Sequence, residues 1–394
     1  MLIVLAITLP IFVVAVIFLS KQWLITNKQD RTKGFIYVGG TILISLLLCA
    51  ATYYGGTFKS RFSEIGNCKI MSMQHEEKWT TKERHEETYE VVVGHDENGD
   101  EITETRTRVW YETETHGPYW TAYDEYGEFH SIDRGLYNKW SDIWDNNTRV
   151  GQHNGSAAGF DTSITGGIYQ SKWTGNFDTI YPWEEVWTYE NKLRVTETVL
   201  KFPEPTEAMV KRFPRPADQG NTMPVITYGP VINDAEMMLL RRTNAVLGKP
   251  HQIHCIIMLF DASKDQQNVV NDVLSAWQGP NMNELVWFIG LDQNRKVVWS
   301  EAQSWMDNTE IHVRLQQKAF KMGTFDAEKI SSALSELVPQ YWKRKDFKKD
   351  FDYLDVPIGL GWYIVCIILF FGVCIGGYFA VEYGICRVRT YKRW

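Results

Sequence analysis

Three long apolar runs interrupt an otherwise polar chain. Phe35–Tyr54 (FIYVGGTILISLLLCAATYY) carries no charged residue. A helix of that length, at about 1.5 Å per residue, matches a hydrocarbon core about 30 Å thick. Leu2–Leu19 is apolar throughout, with Pro10 in mid-run. It lacks both the basic start and the small-residue cleavage site of a signal peptide, which favours a retained helix and leaves later removal open. Ile358–Ile385 is the third run, with Trp362 and Tyr363 near one end and Tyr383 near the other, as an aromatic belt would place them. The pattern predicts an α+β membrane protein with three transmembrane helices. The large polar region between the second and third helices forms an extracytoplasmic ectodomain.

The predicted segments are a first span over 1–20, a cytoplasmic loop over 21–34, a second span over 35–57, a third over 356–385, and a basic tail over 386–394. Lys21, Lys28, Arg31 and Lys33 in the loop and Arg387, Arg389, Lys392 and Arg393 in the tail fall on one side. Short basic loops face the cytoplasm, so residues 59–355 face away from it. The expected location is the cytoplasmic (inner) membrane, crossed several times.

Period-2 patterning dominates residues 59–202, where eight tryptophans also gather. Glu87–Val93 and Glu101–Glu112 flank an Asp-Glu-Asn-Gly-Asp reversal, and together they predict one long hairpin within 84–117. Its second strand alternates Thr with Glu and Arg, so the ribbon has little apolar face and projects, or packs on another subunit. A second hairpin is expected at Tyr119–Tyr123 and Phe129–Ile132. Asp133 then caps a short helix, and Trp187–Phe202 reads as a strand. Six prolines punctuate a linker over 203–231.

Residues 232–355 change pattern. IHCIIMLF (253–260) and ELVWFIG (284–290) are continuous apolar strands buried on both faces. Helices are expected at Asp234–Gly248, Asp265–Trp277, Asp307–Phe320 and Asp326–Trp342, with a hairpin turn at Asp292–Arg295. The order strand, helix, strand, hairpin, helix, helix makes an α/β sandwich.

That order, with IHCIIMLF, SAWQG, ELVWFIG, DQNRKVVW and the closing FKMGTFDA, resembles the TPM domain, also known as TPM phosphatase. Ser300–Trp305 stands where that family usually has a Gly-Tyr-Gly-like segment. The resemblance implies a divalent-metal-dependent phosphatase or hydrolase as an alternative function. The whole chain is also similar to uncharacterised membrane proteins of large tailed bacteriophages, a likeness that implies no activity.

Composition removes several classes. The net charge of −7 and the short basic clusters argue against a nucleic-acid partner. There is no HExxH, CxxC, GxSxG or Walker-type loop, so no catalytic residue, cofactor or metal site is assigned. Asp261 and Asp292, which end the two apolar strands, are the candidates for a divalent ion if one binds. The six histidines between His75 and His153 read as solvated strand or turn residues. Cys68 and Cys255 either pair or are buried separately.

The expected function is a membrane-anchored scaffold or binding module with a protein partner on the extracytoplasmic side. Gly372 and Gly376, followed by Gly377, have the small-residue spacing of close helix packing in the lipid bilayer, and Gly39-Gly40 offers a matching patch. With the uncovered ribbon, they predict a homo-oligomer.

Overall fold

The computed structural model describes residues 35, 37–44, 47, 50, 60–95, 97, 99–153, 160–164, 166–196, 202–351, 353–354 and 360–382. The chain forms two compact units. One comprises residues 1–63, 188–204 and 346–394; the other comprises 64–187 and 205–345. The Trp-rich region and the expected α/β sandwich thus belong to the same unit.

Among the described residues, no helix is long and apolar enough to cross a membrane. The expectations of a three-span membrane class, transmembrane helices and a multi-pass inner-membrane location are corrected accordingly, and the class is α+β. The first expected span and much of the second lie outside the described residues. A helix, Leu360–Glu382, stands where the third was expected.

In that first unit, residues 37–44 are also helical. The Tyr37 hydroxyl donates to the Cys374 carbonyl at 3.0 Å, and the Tyr37 ring meets Tyr378 edge-on.

Among the described residues, the second unit carries three sheets. The largest is ordered β5-β4-β1-β8-β6, with β9 also on β1. Its strands are β1 (Arg61–Glu76), β4 (Tyr119–Asp124), β5 (Phe129–Ser131), β6 (Thr148–Gln152), β8 (Gly167–Lys172) and β9 (Tyr181–Glu190). Helix α1 (Arg134–Trp144) begins where the Asp133 carboxylate accepts the Leu136 amide at 2.9 Å, as its sequence position predicts. Tyr137, Trp140 and Trp144 of α1 close over Ile70, Met73 and Ala122 of the sheet. The strand expected over 187–202 instead ends at Glu190, and residues 197–201 lie outside the described residues.

A second sheet, β3-β2-β7, comprises β2 (Trp79–His95), β3 (Glu101–His116) and β7 (Phe160–Ile164). The hairpin is longer than its sequence signal suggests, because its pairing runs from Trp79↔His116 to His95↔Glu101.

The third sheet, β10-β11-β12-β13 with β13 at Val297–Gln303, is parallel across its first two pairings and antiparallel in the last. Strands β11 (His254–Asp261) and β12 (Glu284–Leu291) are buried along nearly their whole length, as the apolar runs require. On one face, Cys255, Ile257, Leu259, Leu285, Trp287 and Ile289 pack with three helices: α2 (Asp234–His251), α4 (Glu310–Met322) and α5 (Ala327–Tyr341). On the other face, Phe260 stacks on Tyr228 of β10 (Val225–Tyr228) and meets Phe213 and Trp299. Trp277 of α3 (Val269–Trp277) donates to the Phe213 carbonyl at 3.0 Å. Strand β10 lies inside the expected linker, where Pro224 and Gly229-Pro230 hid a four-residue strand.

The two halves of this unit meet along β1. Asn283 Nδ2 donates to the Ile65 carbonyl at 2.7 Å, and the Asn67 side chain meets the His254 ring at 2.9 Å. Gly248 of α2 has no Cβ for a steric reason: one would stand 2.4 Å from the Asn67 carbonyl oxygen.

Candidate functional site

Two places in the second unit carry chemistry. The first is the β2–β3 ribbon. Among the described residues, strand β7 pairs only with Thr80–Glu83, so most of the described ribbon has two strands and two open faces. Every residue of β3 except the last is exposed. Because β3 is the outer strand, the backbone groups of its far edge have no strand partner in this sheet among the described residues. Cross-strand register puts Glu104, Arg106, Arg108, Trp110, Glu112 and Glu114 on one face and Thr103, Thr105, Thr107, Val109, Tyr111 and Thr113 on the other. Residues 79–116 hold eleven carboxylates against four Lys and Arg. That balance, −7, equals the net charge of the whole chain, so the rest of the protein is neutral overall.

The second place is where β1, β4 and β5 converge. Pairing sets Asp124 opposite Ile70, two residues along β1 from Cys68, and sets His130 opposite Ala122. Cys68 Sγ, a carboxylate oxygen of Asp124 and a ring nitrogen of His130 lie within 4.8 Å of one another. Cys68 and Asp124 are buried. Asp124 Oδ1 accepts the amides of Tyr126 and Glu128, and Oδ2 accepts Lys249 Nζ at 2.5 Å. Burial opposes ionisation of Asp124, but Lys249 and the two amides hold its carboxyl below the usual range. Burial, with Asp124 alongside, pushes the Cys68 thiol up to about 12. His130 Nδ1 contacts Glu185 Oε1 at 2.8 Å, and the His130 ring stacks on Trp183 at 4.6 Å. Lys249 also sits 3.9 Å from the centre of the Tyr126 ring. It lines a cavity of about 270 Å³ together with Asn67, Tyr126, Trp187, Asn283 and Arg344. Arg344 is held there by Glu64 at 2.8 Å, and Trp187 Nε1 donates to the same carboxylate.

The residues singled out in the sequence lie elsewhere. Asp261 Oδ1 accepts the amide and hydroxyl of Ser263, and Lys264 stands 3.2 Å from Oδ2. Asp292 Oδ1 accepts the amides of Asn294 and Lys296. Both carboxylates therefore close turns, and neither is in the ligating cluster. Cys68 and Cys255 are buried free thiols. A Cβ added to Gly377 would touch Tyr37 and Thr41, whereas one added to Gly39, Gly40, Gly372 or Gly376 would meet nothing within 4 Å. Five of the six histidines expected to be solvated stack on tryptophans: His75 on Trp120, His85 on Trp110, His116 and His153 on Trp79, and His130 on Trp183.

No family model matches the chain, and no curated protein matches it.

Proposed function

We propose that this protein is a binding module that captures a basic protein strand along the outer edge of β3. One observation carries the reading: the whole net charge of the chain is concentrated on a ribbon whose sixteen-residue edge strand is exposed. An isolated two-stranded ribbon is marginal in water, and an uncovered edge invites pairing. Strand addition at such an edge takes affinity from main-chain hydrogen bonds and specificity from alternate side chains. A cognate strand presents Lys or Arg opposite Glu104, Glu112 and Glu114, and β-branched residues toward the Thr-rich face. The same charge opposes ribbon-on-ribbon pairing of two copies, which turns the expected self-assembly toward a cationic partner.

The test uses the full chain and two synthetic peptides, one alternating Lys with Val and the other Glu with Val. The basic peptide should protect the amides of 101–116 from hydrogen exchange, bind more weakly as salt rises, and lose affinity in the triple variant Glu104→Lys, Glu112→Lys, Glu114→Lys. Equal binding of both peptides, or no protection along β3, refutes the reading.

A further inference from the structure

We propose that Cys68, Asp124 and His130 form a binding site for a transition-metal dication, with zinc favoured by the ligand types. Among the described residues, this is the group of three ligating side chains close enough to share one ion. Thiolate, imidazole and carboxylate together suit a borderline-soft ion, and three protein ligands leave a fourth tetrahedral position open.

The state of His130 points independently to a ligand. Its side chain is only 11% exposed, and Nε2 is buried without a hydrogen-bond partner, 4.0 Å from Asp124 Oδ2. Nδ1 faces Glu185 at 2.8 Å. That contact places the ring proton on Nδ1 and leaves the Nε2 lone pair directed into the cluster, the carboxylate–histidine arrangement that orients metal-bound imidazoles. Glu185 is fixed in turn, since Oε1 accepts Trp183 Nε1 at 2.7 Å. A buried imidazole nitrogen with no partner is costly, and a metal ion removes that cost.

Lys249 holds the position of the missing charge. Its ammonium lies on Asp124 Oδ2, with Glu128 at 3.5 Å and the Tyr126 ring beside it. An incoming dication takes over Asp124, and Lys249 moves toward Glu128 while remaining at the cavity wall. The Cys68 S–H bond breaks as the S–metal bond forms, its proton passes to solvent, and no redox change occurs. The three donors, which lie within 4.8 Å of one another, draw together to the ligand separations of a tetrahedral site. This site does not depend on the ribbon reading.

The experiment is titration of the full-length protein with Co²⁺, followed by displacement with Zn²⁺. The expected result is one cobalt ion per chain, with a thiolate charge-transfer band and tetrahedral d–d bands that zinc abolishes. Cys68→Ser should remove the charge-transfer band. Glu185→Gln, which leaves all three ligands in place, should weaken binding about 10- to 100-fold. Lys249→Met, which removes the competing cation, should tighten it. No thiolate band in the folded wild-type protein, a band that survives in Cys68→Ser, or unchanged affinity in both Glu185→Gln and Lys249→Met overturns the proposal.

Discussion

His254 makes the junction between the two halves of the larger unit sensitive to acid. It opens β11 with no solvent exposure, its ring meets Asn67 of β1, and Nε2 has no partner. Burial lowers its pKa from 6.5 to about 3. As pH falls below 6.5, the unfolded chain gains a proton here that the folded chain refuses until about pH 3, so stability is lost across that window. At pH 5 the unfolded imidazole is about 1.5 log units into its protonated range, worth about 2 kcal/mol at about 1.4 kcal/mol per unit. His254→Gln keeps an amide beside Asn67 and removes the titration. Urea unfolding followed by tryptophan fluorescence at pH 7.5 and pH 5 separates the two proteins. The wild type should lose about 2 kcal/mol more than the variant over that interval, since every other titrating group is common to both. Parallel losses would refute the argument and show that water reaches the imidazole in the folded state.

Two further predictions concern packing. Gly248→Ala drives a methyl group against the Asn67 carbonyl. Overpacking of about 1–3 kcal/mol should exceed the ~1 kcal/mol that alanine brings to a helix, giving a lower urea midpoint. Arg215 is buried, donates to the carbonyls of Trp277 and Gly279, and lies 3.8 Å from the fully buried Glu284. Arg215→Met leaves that carboxylate uncompensated and should cost about 3–5 kcal/mol. Adding Glu284→Gln should recover part of the loss in the same unfolding assay.

The two central strands were legible because burial on both faces requires a continuous apolar run, and β11 and β12 have one. Helix α1 was legible through Asp133, and the ribbon through its Asp-Asn-Gly reversal. Strand β1 was not: RFSEIGNCKIMSMQHE mixes polar and apolar positions because its neighbours differ along its length, with β4 and β8 at one end and α2 near Asn67. The ligating cluster left no local signal. Asp124 and His130 are joined by a hairpin, but Cys68 lies 56 residues before Asp124, and only the pairing of β1 with β4 unites them. The stacked histidines escaped for the same reason, because their partners come mostly from other strands. The charge of the ribbon, by contrast, could have been counted from the sequence, but it acquires meaning only with the exposure of β3.

The ion pair between Glu64 and Arg344 has a consequence for synthesis on the ribosome. Glu64 is a nearly fully buried carboxylate whose pKa is raised by burial, and its guanidinium partner lies 280 residues later in the chain. At about 5–20 residues per second, Arg344 emerges roughly 14–56 s after Glu64. Until then, the start of β1 cannot settle into its final surroundings without leaving a lone negative charge out of water. The N-terminal sheet is therefore among the first structures to be made and among the last to close.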